Sequence, residues 1–379
     1  MNINLSVGTN YNLKTDIMEK GLEEKLCDEI YLPMLEVYEN VGISSNHFFA
    51  GWTAEKLNKK CPAIIKKINS LEKKRVVEIG SHTYGHPIIP LIPLEDTKKQ
   101  IQFGKEIDEN LFNSRLAGFY PPEWCIDPTL IPILKEEEYE WIMLLDSNIA
   151  GAYNQGIEET FFAHKIRGVN DSEIDAVFVY GGANNLKIRN SMFSLLENKI
   201  KPKECKDYIL NSFDLDFKQK NSENEPLLLL YLDIEAPYFV KDTNKAIERF
   251  EYLLYELSSD DRINSVTISE YLEENRPESY IIPKSTATYK PIDIWKRGIE
   301  KLDIILEEVR RDLKQINDLE KEKSVWKEIL LAEGSDARIA ITKNRLDGIT
   351  IDGRKIYGNF ERVIDAYNHV LKAKQKLNE

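Results

Sequence analysis

No stretch of this sequence is long and apolar enough to cross a bilayer. The longest apolar run, Leu227–Leu232, is far shorter than the ~20 residues a spanning helix needs. Basic charge is also in deficit. Against 64 Asp and Glu stand 51 Lys and Arg, a net charge of −13. Phosphate backbones and anionic lipid heads are repelled by such a chain, so neither nucleic acid nor a membrane is an expected partner. A neutral ligand such as a sugar is not disfavoured by that field. Cysteine is scarce: Cys27, Cys61, Cys125 and Cys205 are the only four, and no two form a C-x-x-C pair. This disfavours a zinc ribbon or a dithiol redox motif, and free thiols in a reducing cytosol are expected. The N-terminal residues Met1–Ser6 lack a basic segment leading into an apolar one. No secretory signal is read there, and a cytoplasmic protein is expected.

What is present is ordinary globular material, with 42% hydrophobic and 30% charged residues in 379. That is enough for one large domain and a smaller one. Short apolar runs alternate with amphipathic stretches over the first two-thirds of the chain. The runs predict strands near 2–7, 43–50, 76–80, 117–121, 141–146, 161–166, 176–180 and 227–233. The spacing of apolar residues predicts helices over 17–40, 54–71, 94–111 and 244–257. Strand–helix alternation of this kind argues for a parallel sheet or barrel. After about Pro283 the pattern changes. The segment 283–291 reads as a linker, and 294–332 and 360–377 read as charged helices with an apolar face.

Four polar segments, Gly80–Pro90, Pro121–Asp127, Asp146–Asn148 and Asp233–Tyr238, follow directly after strand runs, where a parallel barrel carries its active site, and three clusters at these strand ends could do chemistry. The first, Val77–Pro90, holds His82 and His86 in one short loop of a chain with only five histidines. These imidazoles can bind a metal, donate hydrogen bonds to sugar hydroxyls, or serve only the loop's structure. The second, Gly118–Trp124, places Glu123 between two prolines and an indole. Proline stiffens the backbone that carries this carboxylate, and Trp124 offers a flat surface for a sugar ring. The alternative is a loop glutamate beside a packed tryptophan. The third, Leu227–Tyr238, ends an apolar strand in Asp233 and Glu235. Alternation puts both acids on one side if the strand continues that far. The alternative is an aspartate that caps the next helix. Two carboxylates flanking a glycosidic bond are the usual equipment for its hydrolysis.

In order and spacing these segments resemble the motifs of family-57 glycoside hydrolases. Glu78-Ile79-Gly80 through His86-Pro87-Ile88-Ile89-Pro90 is similar to that family's "GQLEI…HPxLP". Gly118 through Glu123 resembles "GxWLPE", and Asp233-Ile234-Glu235 resembles the start of "DxExFGHW". Tyr31–Glu36 and Leu331–Asp336 resemble its "YLPLLE" and "AxxSDW" stretches. The resemblance implies a distorted (β/α)7-type barrel over residues 1–285, a helical bundle over 290–379, and no metal or cofactor. It further implies retaining hydrolysis or transglycosylation of α-linked sugars in an oligo- or polysaccharide substrate. On that basis Glu123 is the expected nucleophile and Asp233 the expected acid/base. His86 is expected to contact the sugar, with His82 and Glu235 beside it. Residue type and position add Trp52, Trp124 and Tyr238 as candidates for stacking.

The chain also departs from the family pattern. An N-terminal "HQP" is replaced by Ser6–Asn10, "FGHW" by Ala236–Phe239, and the "SDW" tryptophan by Ala337. These changes bear on sugar-contacting positions, and the length is similar to that of a short α-galactosidase-like branch. The expected substrate is therefore an α-glucan or an α-galactoside. Two alternatives stand beside this reading. One is a metal-dependent polysaccharide deacetylase, suggested by His82-Thr83-x-x-His86 but lacking an acidic pair after the first strand, where the nearest acid is Asp16. The other is a carbohydrate-binding barrel without turnover.

Overall fold

In the computed structural model, residues 2–13, 22–149, 156–181, 187–217, 224–286, 292–296, 298–340, 349–351, 354–357 and 361–379 are described. Asp16, the start of the helix expected from residue 17 and the linker residues 287–291 lie outside them. The main sheet is built from β1 (Ile3–Tyr11), β2 (Ser45–Phe49), β3 (Val77–Ser81), β4 (Gly118–Phe119), β5 (Trp141–Leu145), β6 (His164–Arg167), β7 (Glu173–Val179), β8 (Leu227–Tyr231) and β9 (Ile263–Ser265). Strands β1, β2, β3, β4, β5, β7 and β8 pair side by side, all parallel. Then β8 pairs in parallel with β1, Leu227 opposite Asn4, which closes a seven-stranded barrel. Strand β6 lies antiparallel on β7. Strand β9 joins the first residues of β1. The expected barrel and C-terminal helices are both present.

Alternation along the strands divides the core. Leu227, Leu229 and Tyr231 of β8 turn inward, to a barrel interior shared with Phe48, Trp141, Met143 and Val177. Leu228 and Leu230 turn outward to the helical layer. Both faces of β8 are therefore buried, which is why its sequence is an unbroken apolar run and not an alternating one. Glycine is needed where the interior is tightest: a Cβ on Gly118 would lie 2.1 Å from the Trp141 ring.

The C-terminal helices, Glu300–Leu313, Leu319–Ala332, Ser335–Ala340 and Glu361–Asn378, pack around Leu302, Leu306, Val309, Ile329, Leu330 and Val370. Tyr84 and Phe103 from the barrel side enter the same cluster. The long helical pattern over 294–332 is interrupted at Asp318, whose side chain accepts from the Lys321 N–H at 3.0 Å and starts a new helix. The described part of the expected linker is not free. Lys284 N–H donates to Asn148 O at 2.7 Å, and Ile126 N–H to Ser285 O at 2.9 Å.

The expectation of four free thiols needs correction. Cys27 and Cys61 form a disulfide with a Cα separation of 6.4 Å, while Cys125 and Cys205 are buried thiols outside any disulfide. Their 34-residue separation hid the pair, because packing between helices, and not spacing, brings them together. Among the described residues no helix is long and apolar enough to cross a membrane.

Candidate active site

Because the barrel strands are parallel, the ends of β1, β3, β4, β5 and β8 emerge on one face. Strand β4 is cut short by Pro121 and Pro122, which divert the chain into a tight turn, Pro122–Trp124. There Glu123 (φ 54°, ψ 23°) and Trp124 (φ 59°) stand consecutively in the left-handed region. Side chains avoid this region, at about 1–3 kcal/mol per residue. The turn is held by Trp124 N–H to Pro121 O and Cys125 N–H to Pro122 O, both 3.0 Å. The Asn148 amide, from the end of β5, donates to Trp124 O at 3.0 Å. Trp124 is buried and Glu123 half-buried.

A run of ring contacts crosses this face. His82 and His86 stack with centroids 4.6 Å apart. His82 meets the Tyr120 ring edge-on at 4.7 Å, and Tyr120 meets Trp124 at 4.6 Å. Trp124 meets Tyr231 at 5.0 Å. The Tyr231 hydroxyl donates to Asp233 Oδ1 at 2.8 Å and accepts from the Asn10 amide at 2.6 Å. With one proton to give, the phenol is oriented by Asn10 toward the carboxylate. Burial first, and then the Asp233 charge, pushes the Tyr231 phenol well above its ordinary value, so it remains a donor. Arg189 donates to Asp233 Oδ2 at 3.3 Å.

The two histidines are held differently. Thr83 N–H donates to His82 Nδ1 at 2.9 Å, which leaves the proton of a neutral ring on Nε2. Burial, and then the neighbouring His86, holds His82 well below the usual imidazole range, so the ring is neutral. Its Nε2 is buried without a partner among the described residues. His86, also at positive φ, has Nδ1 2.9 Å from Ser335 Oγ, and its carbonyl accepts from Ser335 N–H at 2.9 Å. Among the described residues no group of three or more His, Cys, Asp and Glu side chains gathers as a metal cage would require.

His82, His86, Trp124 and Asp233 thus lie in one connected cluster, with Glu123 beside Trp124. Other expected site residues lie elsewhere. The β8 strand stops at Tyr231, so its alternation does not reach Asp233 and Glu235. Asp233 is half-buried, whereas Glu235 is buried close to Tyr11, whose phenol its charge helps to raise after burial and Tyr38. Tyr238 packs in the core outside the barrel, edge-on to Phe239. Trp52 makes none of these ring contacts and opens the helix Gly51–Lys60. Helix capping falls to Asp242, which accepts from Lys245 N–H at 3.2 Å, and not to Asp233. Sequence reasoning missed Asn10, Tyr120, Arg189, Tyr231 and Ser335. Tyr231 stands two residues before Asp233, and Ser335 lies in a segment already singled out, but nothing in the sequence pairs Arg189 with Asp233.

Comparison with known proteins bears on this site. The profile of "Glycosyl hydrolase family 57" matches residues 8–283. An α-amylase of Pyrococcus horikoshii is 25% identical over 319 residues, 79% of this chain and 45% of the relative. The chain therefore spans less than half the length of that curated relative. Among solved structures, a branching enzyme from Thermococcus kodakaraensis superposes over 100% of this chain and 90% of its own, with a TM-score of 0.75 at 13% identity. A 4-α-glucanotransferase from Thermococcus litoralis superposes with a TM-score of 0.68 at 18% identity, over 99% of this chain and 60% of its own. At such identities these structural likenesses bear on the fold.

Proposed function

Because the chain belongs to glycosyl hydrolase family 57, we propose that it is a retaining glycoside hydrolase or transglycosylase of α-linked sugars, with Glu123 as nucleophile and Asp233 as acid/base. The observation that carries this reading is the unbroken run of contacts from Trp124, next to Glu123, through Tyr231 to Asp233. The left-handed backbone at Glu123 supports it, since such strain collects at functional sites. The names of the relatives, α-amylase, branching enzyme and 4-α-glucanotransferase, favour an α-glucan over an α-galactoside. Residues 1–285 form the catalytic barrel in this reading, and 290–379 the helical bundle that supports it.

In the first step a Glu123 carboxylate oxygen bonds to the anomeric carbon as the glycosidic C–O bond breaks. Asp233, carrying a proton, gives it to the departing oxygen. In the second step Asp233 takes a proton from water or from a sugar hydroxyl, whose oxygen attacks the anomeric carbon and releases Glu123. Tyr231 and Arg189 orient the Asp233 carboxyl. Stacking on the neutral, buried His82 ring holds His86 in place.

The test is chemical rescue. Glu123→Ala is assayed with aryl α-glucoside and α-galactoside, with and without azide. The expected result is a large loss of rate and a β-glucosyl azide product when azide is present. Wild-type turnover by Glu123→Ala would overturn the assignment, and a galactosyl azide in place of the glucosyl product would redirect the substrate.

A further inference from the structure

Trp52 is left unused by the chemistry above, and it lies in a groove of about 510 Å³ between the helices Gly51–Lys60 and Leu94–Phe112. We propose that this groove is a second, non-catalytic site that binds a neutral oligosaccharide. The choice of a glucan as probe rests on the proposed function.

The groove shares no lining residue with the Glu123–Asp233 cluster. One wall is apolar, from Ile107 and Leu111 with the half-buried Trp52 ring. Two exposed amides, Asn58 and Asn110, stand at its rim. Aromatic surface with a few polar groups is the make-up of a small-ligand site, and amides both donate to and accept from hydroxyls.

Its charges point away from an ionic ligand. Lys56 lies 4.4 Å over the Trp52 ring and is tied to Glu23 at 2.7 Å. Glu55 accepts from the Tyr84 hydroxyl at 3.0 Å and from Lys327. Of the charged lining groups, only Lys59 has no partner among the described residues. One cation unpaired among the described residues, on a chain of net charge −13, does not make an anion site, whereas the exposed amides of Asn58 and Asn110 suit a polyhydroxylated neutral ligand.

The position gives the groove a purpose. The Trp52 backbone N–H donates to Tyr84 O at 3.1 Å, on the loop that carries His82 and His86. A long glucan held at Trp52 is kept beside the catalytic face, while a short substrate does not need the groove.

The test uses the full chain labelled with 15N at its indoles. The Trp52 and Trp124 signals, assigned with Trp52→Phe and Trp124→Phe, are followed as maltoheptaose is added. The Trp52 signal is expected to shift with an affinity of its own. In Asn58→Ala/Asn110→Ala that affinity falls about tenfold, as for the loss of two ordinary hydrogen bonds. The Trp124 response and the rate on a short aryl α-maltoside stay unchanged, and the rate on amylose falls. Both substituted residues are exposed, so the fold is expected to survive. A Trp52 signal that stays still, or that tracks Trp124 and ignores the double substitution, would overturn the groove. A Trp52 response with Trp124 silent and no turnover would overturn the proposed function and leave the groove standing.

Discussion

At the residue scale, Tyr231 carries more of the site than either carboxylate's own sequence neighbourhood suggests. Its ring touches Trp124, and its hydroxyl joins Asn10 to Asp233. Removing that hydroxyl leaves the ring packing intact while the Asp233 carboxyl loses a donor. A hydrogen bond to a charged group contributes about 1.5–3 kcal/mol. Tyr231→Phe is therefore expected to lower kcat by about 10- to 100-fold with little change in KM, measured by steady-state kinetics on an aryl α-glucoside. An unchanged kcat would remove Tyr231 from the mechanism. Buried imidazoles give a second expectation. His47 lies wholly inside the barrel wall, its ring between the Tyr11 hydroxyl at 2.9 Å and Ser45 Oγ at 3.0 Å. Burial pushes its pKa from 6.5 down to about 3. Its contribution to stability is complete above pH 6.5 and is lost as pH falls from 6.5 toward 3, because the unfolded chain takes up the proton first. Buried His82 acts in the same direction. Glu78 opposes them: burial pushes it up to about 7, so its contribution is lost as pH rises from the ordinary carboxyl range to 7. His47→Gln is expected to flatten the fall in denaturation midpoint between pH 6.5 and 4. A slope identical to wild type would show that His47 is not what couples acid to unfolding.

At the element scale, the loop after β3 is fastened by a second tier of buried polar groups. The Gln100 side chain accepts from Gly85 N–H at 2.7 Å and donates to Leu330 O and to Glu333, at 2.9 and 3.0 Å. Arg310 bridges Asp96 at 2.6 Å and Glu333 at 2.8 Å. A Cβ on Gly85 would lie 2.1 Å from Leu330 O, so only glycine permits this close approach. Breaking a buried pair from one side is costly, at about 3–5 kcal/mol, because the remaining charges are stranded. Arg310→Met is expected to lose stability on that scale in urea unfolding, with Asp96 and Glu333 left buried. Ser335→Ala removes only the hydroxyl at His86, and it is expected to raise KM severalfold with a small change in Tm. These elements also show what the sequence reveals. The β8 leucines and the histidine loop are local patterns, and they are legible because burial on both faces and loop chemistry leave their mark within ten residues. Strand β9 was not foreseen, since Ile263-Asn264-Ser265 offers one apolar side chain. Ser335, which meets His86 Nδ1, lies 249 residues away from it, and no periodicity encodes that distance.

At the scale of the whole molecule, buried contacts cross the boundary between the barrel and helical segments that the sequence suggests. Tyr84 and Phe103 belong to the first segment in the chain but to the helical cluster in space. Pro87 pairs with Gly334 as an isolated antiparallel bridge, and the Asp96–Arg310–Glu333 group joins both segments through buried charge. Residues 1–285 expressed alone would expose Tyr84 and Phe103 and leave Asp96 without its cation. A free-standing barrel is therefore expected to be aggregation-prone. The intact chain is expected to unfold in one calorimetric transition, with the calorimetric and van't Hoff enthalpies equal. Reduction of Cys27–Cys61, which closes a 34-residue separation within the barrel segment, is expected to shift that transition down as a whole, by about 2–4 kcal/mol. Two resolved transitions, with only the barrel's moving on reduction, would mean that each segment folds on its own core. The contacts at Gly85, His86 and Arg310 would then be docking contacts and not part of one cooperative unit.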